Sequence, residues 1–354
     1  MFLQLKCIIF QLIYCILYIF NFKKNMISII YSDSSTLYSN LREIEKQFIL
    51  WNIKYKIILN NKSINNIKSI ASSSVIIIDQ SNYFLSHIKL FSSTKVIQLW
   101  HGGGLYKKVA FDKTNYFKKN ARIHRNISFL NISDEKLTKE YSRMFNVGKK
   151  NIISYGLPRT DLLFKRNSVE DKKKFFLLYP QINGKKICLY APTFRENKHF
   201  KRNLKCFDIE KINKQLEDYV IIYRSHPTLK YNNNNNNNNN IINVSDLELD
   251  FVLSISDILI SDYSSIIFDY SFFRRPIVLF VPDLEEYFVQ KKQLYYHPCE
   301  LVGDENVCYK QEELIKFIKQ AVYKIDLWKS FMANCRGNSC QEVVKFIISL
   351  QNKD

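Results

Sequence analysis

Four short polar segments of the sequence follow apolar runs and carry side chains that can do chemistry. The first, Gln98–Lys108, places His101 after an apolar run and before three glycines and two lysines. A histidine exchanges protons near neutral pH, so His101 is a candidate general base. Consecutive glycines let the backbone approach an anion and offer it N–H groups. The segment predicts a base beside an anion-binding loop; a histidine that only caps a turn is the alternative.

Two further segments offer cationic side chains at the ends of apolar runs. Arg195 follows one such run, where its guanidinium can clamp a phosphate, and a plain surface arginine is the alternative. Arg224 and His226 follow another run, and Pro227 restricts the backbone of His226 to extended geometry. An imidazole held in this way can donate a hydrogen bond to a phosphate oxygen. An ordinary turn without a role in binding is the alternative. These residues predict a site for a phosphorylated ligand.

The fourth segment, Ser261–Tyr270, is expected to join a strand to a helix. Asp262 or Ser264 is the expected cap of that helix. Ser264, Ser265 and the first helical N–H groups would then form a pocket that favours an anion. The four segments together suit chemistry on a bound pyrophosphate. The sequence has neither a GxxxxGKS/T loop nor a GxGxxG fingerprint, which disfavours P-loop chemistry and dinucleotide-dependent oxidoreduction.

Apolar strand-like runs alternate with amphipathic stretches from Met26 onward, which is typical of parallel sheets covered by helices on both faces. Two series of such runs predict an α/β protein with two doubly wound domains, whose ligands bind at the carboxyl ends of the strands. The predicted strands of the first series are Ile27–Tyr31, Lys54–Leu59, Val75–Asp79, Lys95–Leu99, Ser128–Ile132 and Ile152–Tyr155. Those of the second series are Ile187–Tyr190, Tyr219–Arg224, Ile241–Val244, Ile258–Ser261 and Pro276–Val281.

The same pattern divides the chain into four parts. They are an apolar N-terminal segment over residues 1–25, a first domain over residues 26–170, a second domain over residues 171–325 and a helical tail over residues 326–354. The apolar run Cys7–Phe20 is shorter than the about 20 residues of a membrane-spanning helix. Two interpretations of residues 1–25 stay open: a segment that contacts the membrane, and a misplaced start ahead of a natural start at Met26.

The composition is that of a globular protein. Hydrophobic residues make up 46% and charged residues 24%, and with only 8 Gly and 7 Pro the chain is neither collagen-like nor wholly disordered. The net charge of +19 favours an anionic partner: nucleic acid, an anionic lipid surface or a phosphorylated substrate. The basic residues are spread along the chain without a recognised module, which disfavours nucleic acid. No metal site or other cofactor is predicted, and a dependence on Mg²⁺ stays open.

The segments, in this order, resemble the CDP-glycerol glycerophosphotransferase family of teichoic-acid and capsule synthesis. The matching pieces are WHGGGLYKKVAFD at Trp100–Asp112, YGLPRTDLL at Tyr155–Leu163, YAPTFREN at Tyr190–Asn197, RSHP at Arg224–Pro227 and SDYSSIIFDYSFFRRPIVLFVPDLEEY at Ser261–Tyr287. Many members of that family have Thr-Pro after the His-Gly pair, where this chain has Gly103-Gly104. The contacts to the acceptor are therefore left open by the resemblance.

The resemblance implies a GT-B-like fold of two Rossmann-like, doubly wound domains facing a central cleft, with a helical C-terminal tail. It implies an enzyme, a phosphotransferase for substituted phosphate groups. Such an enzyme transfers a polyol phosphate, here expected to be glycerol phosphate, from a CDP-activated donor to a hydroxyl of a membrane-linked or glycan acceptor and releases CMP. It also implies a peripheral location at the cytoplasmic face of the membrane. A nucleotide-sugar glycosyltransferase of GT-B fold, in capsule or lipopolysaccharide synthesis, is the alternative.

The resemblance also implies roles for individual residues. His101 is the catalytic base, which takes a proton from the acceptor hydroxyl as that oxygen attacks the β-phosphorus of the donor. The expected donor and phosphate ligands are Arg195, Arg224, His226, Asp262, Ser264 and Ser265. Further candidates are Gly102, Gly103, Lys107, Arg159, Asp269 and Glu286. The implied partners are CDP-glycerol or a related CDP-polyol, a lipid-linked or glycan acceptor and an anionic membrane surface, with no nucleic acid.

Overall fold

The computed structural model describes residues 2–20, 25–32, 39–59, 63–113, 122–193, 207–225, 242–290 and 294–351. The chain forms two compact units. The first unit takes Met1–Gly103, Val109–Asp161 and Met332–Asp354, and the second takes Gly104–Lys108 and Leu162–Phe331. Each unit holds one six-stranded sheet whose neighbouring strands are all parallel. The predicted α/β fold with two doubly wound sheets is confirmed.

The first unit is built on the strand order β2-β1-β3-β4-β5-β6. Its strands are β1 Met26–Tyr31, β2 Tyr55–Leu59, β3 Ser73–Ile78, β4 Lys95–Gln98, β5 Phe129–Asn131 and β6 Ile152–Ile153. Its first helices are α1 Phe2–Ile19, α2 Asn40–Leu50, α3 Ile64–Ala71 and α4 Thr138–Phe145. Short 3₁₀ helices cover Leu85–His87, Ala110–Asp112, Glu135–Leu137 and Lys149–Asn151. The order of the strands reverses between β1 and β3, and ligands of such sheets bind beside the carboxyl ends at that reversal.

Helix α1 covers one face of the first sheet together with α3. Tyr14 of α1 is fully buried, and it packs in a cluster with Ile30, Ile67 and Ile76. Ser63 accepts a hydrogen bond from the backbone N–H of Asn66 and so caps α3. Among the described residues no helix combines the length and the apolar character that crossing a bilayer requires.

The second unit has the strand order β12-β11-β10-β7-β8-β9. Its strands are β7 Lys186–Tyr190, β8 Tyr219–Tyr223, β9 Ile242–Asn243, β10 Ile258–Ser261, β11 Ile277–Phe280 and β12 Val307–Cys308. Its helices are α5 Ser168–Leu178, α6 Ile209–Gln215, α7 Leu249–Ile255, α8 Ile266–Tyr270, α9 Leu284–Gln290, α10 Pro298–Val302, α11 Gln311–Gln320 and α12 Leu327–Phe331. 3₁₀ helices cover Pro158–Lys165, which begins in the first unit, and Pro180–Ile182, Ser271–Phe273 and Asp304–Asn306. Here the strand order reverses between β7 and β10, as in a dinucleotide-type fold.

The C-terminal helix α13, Ser339–Gln351, belongs to the first unit. Val343, Val344 and Ile347 are fully buried in the cluster that also contains residues of α2. The carboxylate of Asp161 accepts hydrogen bonds from the backbone N–H groups at the start of α13, at 3.0 and 2.8 Å. A carboxylate in this position satisfies helix donors that would otherwise lack partners. The last helix of the chain is thus part of the core of the first unit.

Candidate active site

His101 lies at the carboxyl edge of the first sheet, three residues after the end of β4. The preceding residue, Trp100, has a φ of 50°, a left-handed conformation that is uncommon for a large side chain. Its backbone N–H donates to Oε1 of Gln98 at 2.9 Å, which stabilises the turn. The rings of Trp100 and His101 lie 4.3 Å apart, and the imidazole is exposed to solvent. The sharp turn therefore presents the candidate base outward from the end of a buried strand.

A buried asparagine fixes the backbone immediately before His101. The side chain of Asn40, at the start of α2, is fully buried and donates through Nδ2 to the carbonyl of Trp100 at 2.6 Å. Its Oδ1 accepts a hydrogen bond from the backbone N–H of Arg159 at 3.1 Å. One side chain thus joins three segments at the reversal of strand order. No local pattern in the sequence marks Asn40 as a residue of the site.

Two of the three glycines after His101, Gly103 and Gly104, lie in crowded surroundings, and Gly104 also has a backbone conformation that other residues rarely adopt. The carbonyl of Gly102 accepts a hydrogen bond from the hydroxyl of Tyr141 at 3.2 Å. A Cβ on Gly103 would lie 2.9 Å from the sulfur of Met332. Gly104 has a φ of 59°, and a Cβ there would lie 2.5 Å from the ring of Phe268. The chain passes from the first unit to the second between Gly103 and Gly104.

A buried carboxylate lies at the carboxyl end of β3, the strand next to β4, and none of the four sequence segments contains it. Asp79 directly follows β3 and is 4% exposed. Burial raises its pKa to about 6, while backbone N–H groups of Leu41 and Asn40 and the charge of Arg159 act in the opposite direction. Arg159 itself is 3% exposed. The predicted residue Arg159 is therefore buried in the first unit, paired electrostatically with an acid at the carboxyl edge of the sheet.

Asp262 lies at the reversal of strand order in the second unit. It follows β10 and is 5% exposed. Its Oδ1 accepts a hydrogen bond from the backbone N–H of Thr193 at 2.8 Å and another from the hydroxyl of the same residue. Thr193 follows β7, the strand next to β10. These two residues lie where the strand order reverses, which is the position at which dinucleotide-type sheets bind their ligands.

The two predicted serines lie at the start of α8. Oγ of Ser264 accepts a hydrogen bond from the backbone N–H of Ile266 at 3.3 Å. Ser265 is the residue preceding the helix and makes no capping bond through its side chain. Ser264 therefore partners the first N–H of the helix from the position before the cap residue Ser265, whereas Asp262 bonds to Thr193. Both serines are half-buried.

Arg224 extends from the carboxyl end of β8 and is engaged with backbone. Its Nη1 donates to the carbonyls of Val244 and Leu247, at 2.8 and 2.7 Å. Burial lowers the pKa of the guanidinium to about 10, while Asp246 and Asp250 act in the opposite direction. This nitrogen stabilises the loop after β9. The role of Arg224 in phosphate binding stays a prediction.

The remaining predicted residues of the second unit lie at separate places. Lys107 forms an isolated antiparallel bridge with Leu294. Asp269 is 4% exposed within α8, and Glu286 is half-buried in α9. The predicted residues Arg195 and His226 lie outside the described part of the chain. The structure thus gathers His101, Gly102, Gly103 and Arg159 in the first unit and Arg224, Asp262, Ser264 and Ser265 along the carboxyl edge of the second sheet.

Residues 20–348 match the model of the family described as CDP-Glycerol:Poly(glycerophosphate) glycerophosphotransferase. The chain belongs to this family. It is 26% identical over 341 residues to the teichoic acid poly(ribitol-phosphate) polymerase of Bacillus spizizenii, a match over 90% of this chain and 54% of that protein. It is 31% identical over 296 residues to the teichoic acid glycerol-phosphate primase of Bacillus subtilis, over 79% and 74% of the two chains.

The fold of this glycerophosphotransferase-family chain is shared with solved structures. The wall teichoic acid polymerase TagF superposes with a TM-score of 0.77 at 20% identity, over 99% of this chain and 96% of that one. One structure of a histidine variant of that polymerase was obtained after a soak with CDPG. The expected GT-B-like fold is confirmed. The chain spans about half the length of the first curated relatives it matches, between 42% and 54% of each.

Proposed function

We propose that the protein transfers glycerol phosphate from CDP-glycerol to a hydroxyl group of a membrane-linked or glycan acceptor and releases CMP, in the synthesis of a teichoic-acid-like or capsular polymer. The observation that carries this proposal is the match of residues 20–348 to the glycerophosphotransferase family with His101 presented at the carboxyl edge of a parallel sheet. Relatives named as glycerol-phosphate and ribitol-phosphate enzymes both match, so the choice of glycerol is part of the proposal.

The donor is assigned to the second domain, proposed over residues 171–325. The bond between Thr193 and Asp262 supports this assignment, because it lies at the reversal of strand order where nucleotides bind in such sheets. The pyrophosphate is assigned to Arg195, His226 and the segment that begins at Ser264. Cationic and N–H groups around the phosphates offset the charge that develops on the leaving CMP, which is the main source of catalysis in phosphoryl transfer.

The acceptor is assigned to the first domain, proposed over residues 26–170. His101 takes the proton from the acceptor hydroxyl, and the oxygen attacks the β-phosphorus of the donor. A new bond forms between that oxygen and the β-phosphorus. The bond between the β-phosphorus and the bridging anhydride oxygen breaks, and CMP leaves with that oxygen and the electron pair of the bond. The polar contacts of Trp100 and Gly102 with Asn40 and Tyr141 support this role, because they fix the backbone on both sides of the imidazole.

The test is an assay of purified protein with CDP-glycerol and, separately, CDP-ribitol, in the presence of lipid-linked acceptors, with CMP release as the readout. We expect CMP release with CDP-glycerol and a loss of about 10²–10⁴-fold in His101→Ala. Donor binding by calorimetry should persist in that variant, because the imidazole is assigned to the acceptor. Release of a nucleoside diphosphate from a nucleotide sugar instead, or unchanged turnover in His101→Ala, would overturn the proposal.

A further inference from the structure

Tyr106, in the second unit, has a buried hydroxyl that finds no hydrogen-bond partner among the described residues. The residue is 3% exposed. Buried polar atoms of folded proteins nearly always have a partner, because a buried group without one loses the hydrogen bonds it would make with water. A phenylalanine would fill the same place without that cost. The unbonded hydroxyl therefore requires an explanation other than packing.

The fold holds Tyr106 in its position. Its backbone carbonyl accepts a hydrogen bond from the backbone N–H of Tyr295 at 2.8 Å. The next residue, Lys107, forms the antiparallel bridge with Leu294. The ring centroid of Tyr106 lies 6.5 Å from that of Tyr263. The hydroxyl therefore cannot move to a new partner within the protein without disturbing these contacts.

The carboxylate of Asp262 lies within electrostatic range of this hydroxyl. Burial raises the pKa of the Tyr106 hydroxyl well above its usual range, and the charge of Asp262 acts in the same direction. The phenol therefore keeps its proton and can donate a hydrogen bond. Asp262 lies where the strand order of the second sheet reverses, the position at which such sheets bind ligands. A ligand group that bonds to Asp262 thus lies beside a hydrogen-bond donor that is already in place.

A carboxylate beside a neutral phenol suits an alcohol better than it suits a phosphate. An alcohol can donate its proton to the carboxylate and accept a hydrogen bond from the phenol, so that one ligand group satisfies both side chains. A phosphate would instead bring negative charge against the buried carboxylate of Asp262, which is unfavourable. A carboxylate has about four acceptor sites, so the bonds from Thr193 to Asp262 leave room for an alcohol.

We propose that Tyr106 is a further donor-binding residue, whose hydroxyl donates a hydrogen bond to an alcohol oxygen of the CDP-polyol while that alcohol donates to Asp262. This inference rests on the proposed function, which assigns the donor to the unit that contains the second sheet. Two parts of the donor carry alcohols, the ribose of cytidine and the polyol. The pyrophosphate stays with the cationic residues and the segment that begins at Ser264.

The experiment is calorimetric titration with CDP-glycerol, with CDP, and with dideoxy-CDP, which has no alcohol group. The test variant is Tyr106→Phe, which removes only the hydroxyl. The control is Tyr14→Phe, since Tyr14 is also buried but its hydroxyl accepts a hydrogen bond from the backbone N–H of Phe91 in the first unit. We expect Tyr106→Phe to bind CDP-glycerol about fivefold more weakly than the wild-type protein and to bind dideoxy-CDP equally well. The control should bind all three ligands as the wild-type protein does.

The other ligands identify the alcohol. A loss of affinity for both CDP and CDP-glycerol assigns the contact to the ribose, and a loss for CDP-glycerol alone assigns it to the polyol. Equal affinity of Tyr106→Phe and the wild-type protein for CDP-glycerol would overturn the inference, as would an equal loss in the control. A loss of the same size with dideoxy-CDP would also overturn it, because the hydroxyl would then contact the base or a phosphate.

Thermal melting separates binding from stability. Tyr106→Phe should melt at the wild-type temperature or above it, because it loses no described hydrogen bond, whereas Tyr14→Phe should melt lower. A wild-type protein that binds none of the three ligands would contradict the proposed function, and this inference with it. Binding by the wild-type protein without a difference in Tyr106→Phe would contradict the inference alone.

Discussion

The amide of Asn40 donates a hydrogen bond of 2.6 Å to the carbonyl of Trp100, the residue directly before the candidate base His101. The same amide accepts from the backbone N–H of Arg159. Both side-chain bonds are buried, and a buried polar group that loses its partner costs about 1–3 kcal/mol. The orientation of the imidazole therefore depends on a residue that does not contact any substrate in the proposed reaction.

We predict that Asn40→Ala lowers turnover roughly 10–100-fold, because the carbonyl of Trp100 loses the bond that fixes the turn before His101. The affinity for the donor should stay unchanged. The matched control is Asn126→Ala, since the Asn126 side chain also makes hydrogen bonds to backbone, with Leu85, Ile88 and Leu90. Both variants should lose about 1–3 kcal/mol in the free energy of unfolding.

Urea unfolding and steady-state kinetics distinguish a role of Asn40 in positioning His101 from a purely structural role. A positioning role requires that turnover falls in Asn40→Ala and not in Asn126→Ala at similar stability. If turnover falls equally in both variants, the contribution of Asn40 is structural only.

The Gly103-Gly104 pair is explained by the conformation of the loop. Gly104→Ala should cost about 3 kcal/mol, because an L-residue is strained at a φ of 59° and its Cβ would overlap the ring of Phe268. Many family members have a proline in this stretch, and a proline cannot adopt a φ of 59°. Gly148→Ala is the control, since a Cβ there meets nothing within 4 Å. Thermal unfolding should show a lower Tm in the first variant only, and equal Tm values would contradict the conformation described.

The sequence predicted those features that depend on residues close together along the chain. The strand Ile258–Ser261 was predicted with the bounds that the structure shows, and a helix follows it as expected. Asp79 could have been found, since it is the polar residue that ends the predicted strand Val75–Asp79. The helix expected after this strand is short in the structure: the α-helix covers Ile266–Tyr270 and a 3₁₀ turn follows.

The contacts of Asn40, α13 and α1 could not be predicted from the sequence, because they depend on partners that are distant along the chain. Asn40 bonds to residues 60 and 119 positions away, and no spacing rule links such positions. The apolar face of α13 predicts burial, but it does not indicate which unit buries it. Likewise the alternation of residues along α1 does not indicate that one apolar face is covered and the other exposed.

Thr193→Val is predicted to weaken donor binding about fivefold with little change in turnover. The substitution removes the hydroxyl that donates to Asp262 but keeps the backbone bond, so Thr193, two residues before Arg195 in the sequence, is held by one bond in place of two. Thr94→Val is the matched control, because its hydroxyl donates to the carbonyl of Ser73 in the first unit. Calorimetric titration with CDP-glycerol measures the effect; equal donor affinity in both variants would count against the assigned donor site.

His124 gives the protein a specific sensitivity to acid. Its ring packs edge-on against Phe145 at 5.0 Å, and burial lowers its pKa to about 4. The unfolded chain binds this proton near pH 6.5, so the free energy of unfolding falls as the pH drops from about 6.5 to about 4, by up to about 3 kcal/mol. Asp79 acts in the opposite direction, because its raised pKa favours the protonated acid in the fold.

We therefore predict that His124→Phe reduces the loss of stability between about pH 7.5 and about pH 4.5 relative to the wild-type protein. The comparison isolates His124, since Asp79 titrates in both proteins and its contribution cancels in the difference. Phenylalanine suits the site because the neighbouring side chains are aromatic. Urea unfolding at the two pH values measures the effect. Equal losses in the two proteins would mean that the buried imidazole is protonated as readily in the fold as in the unfolded chain.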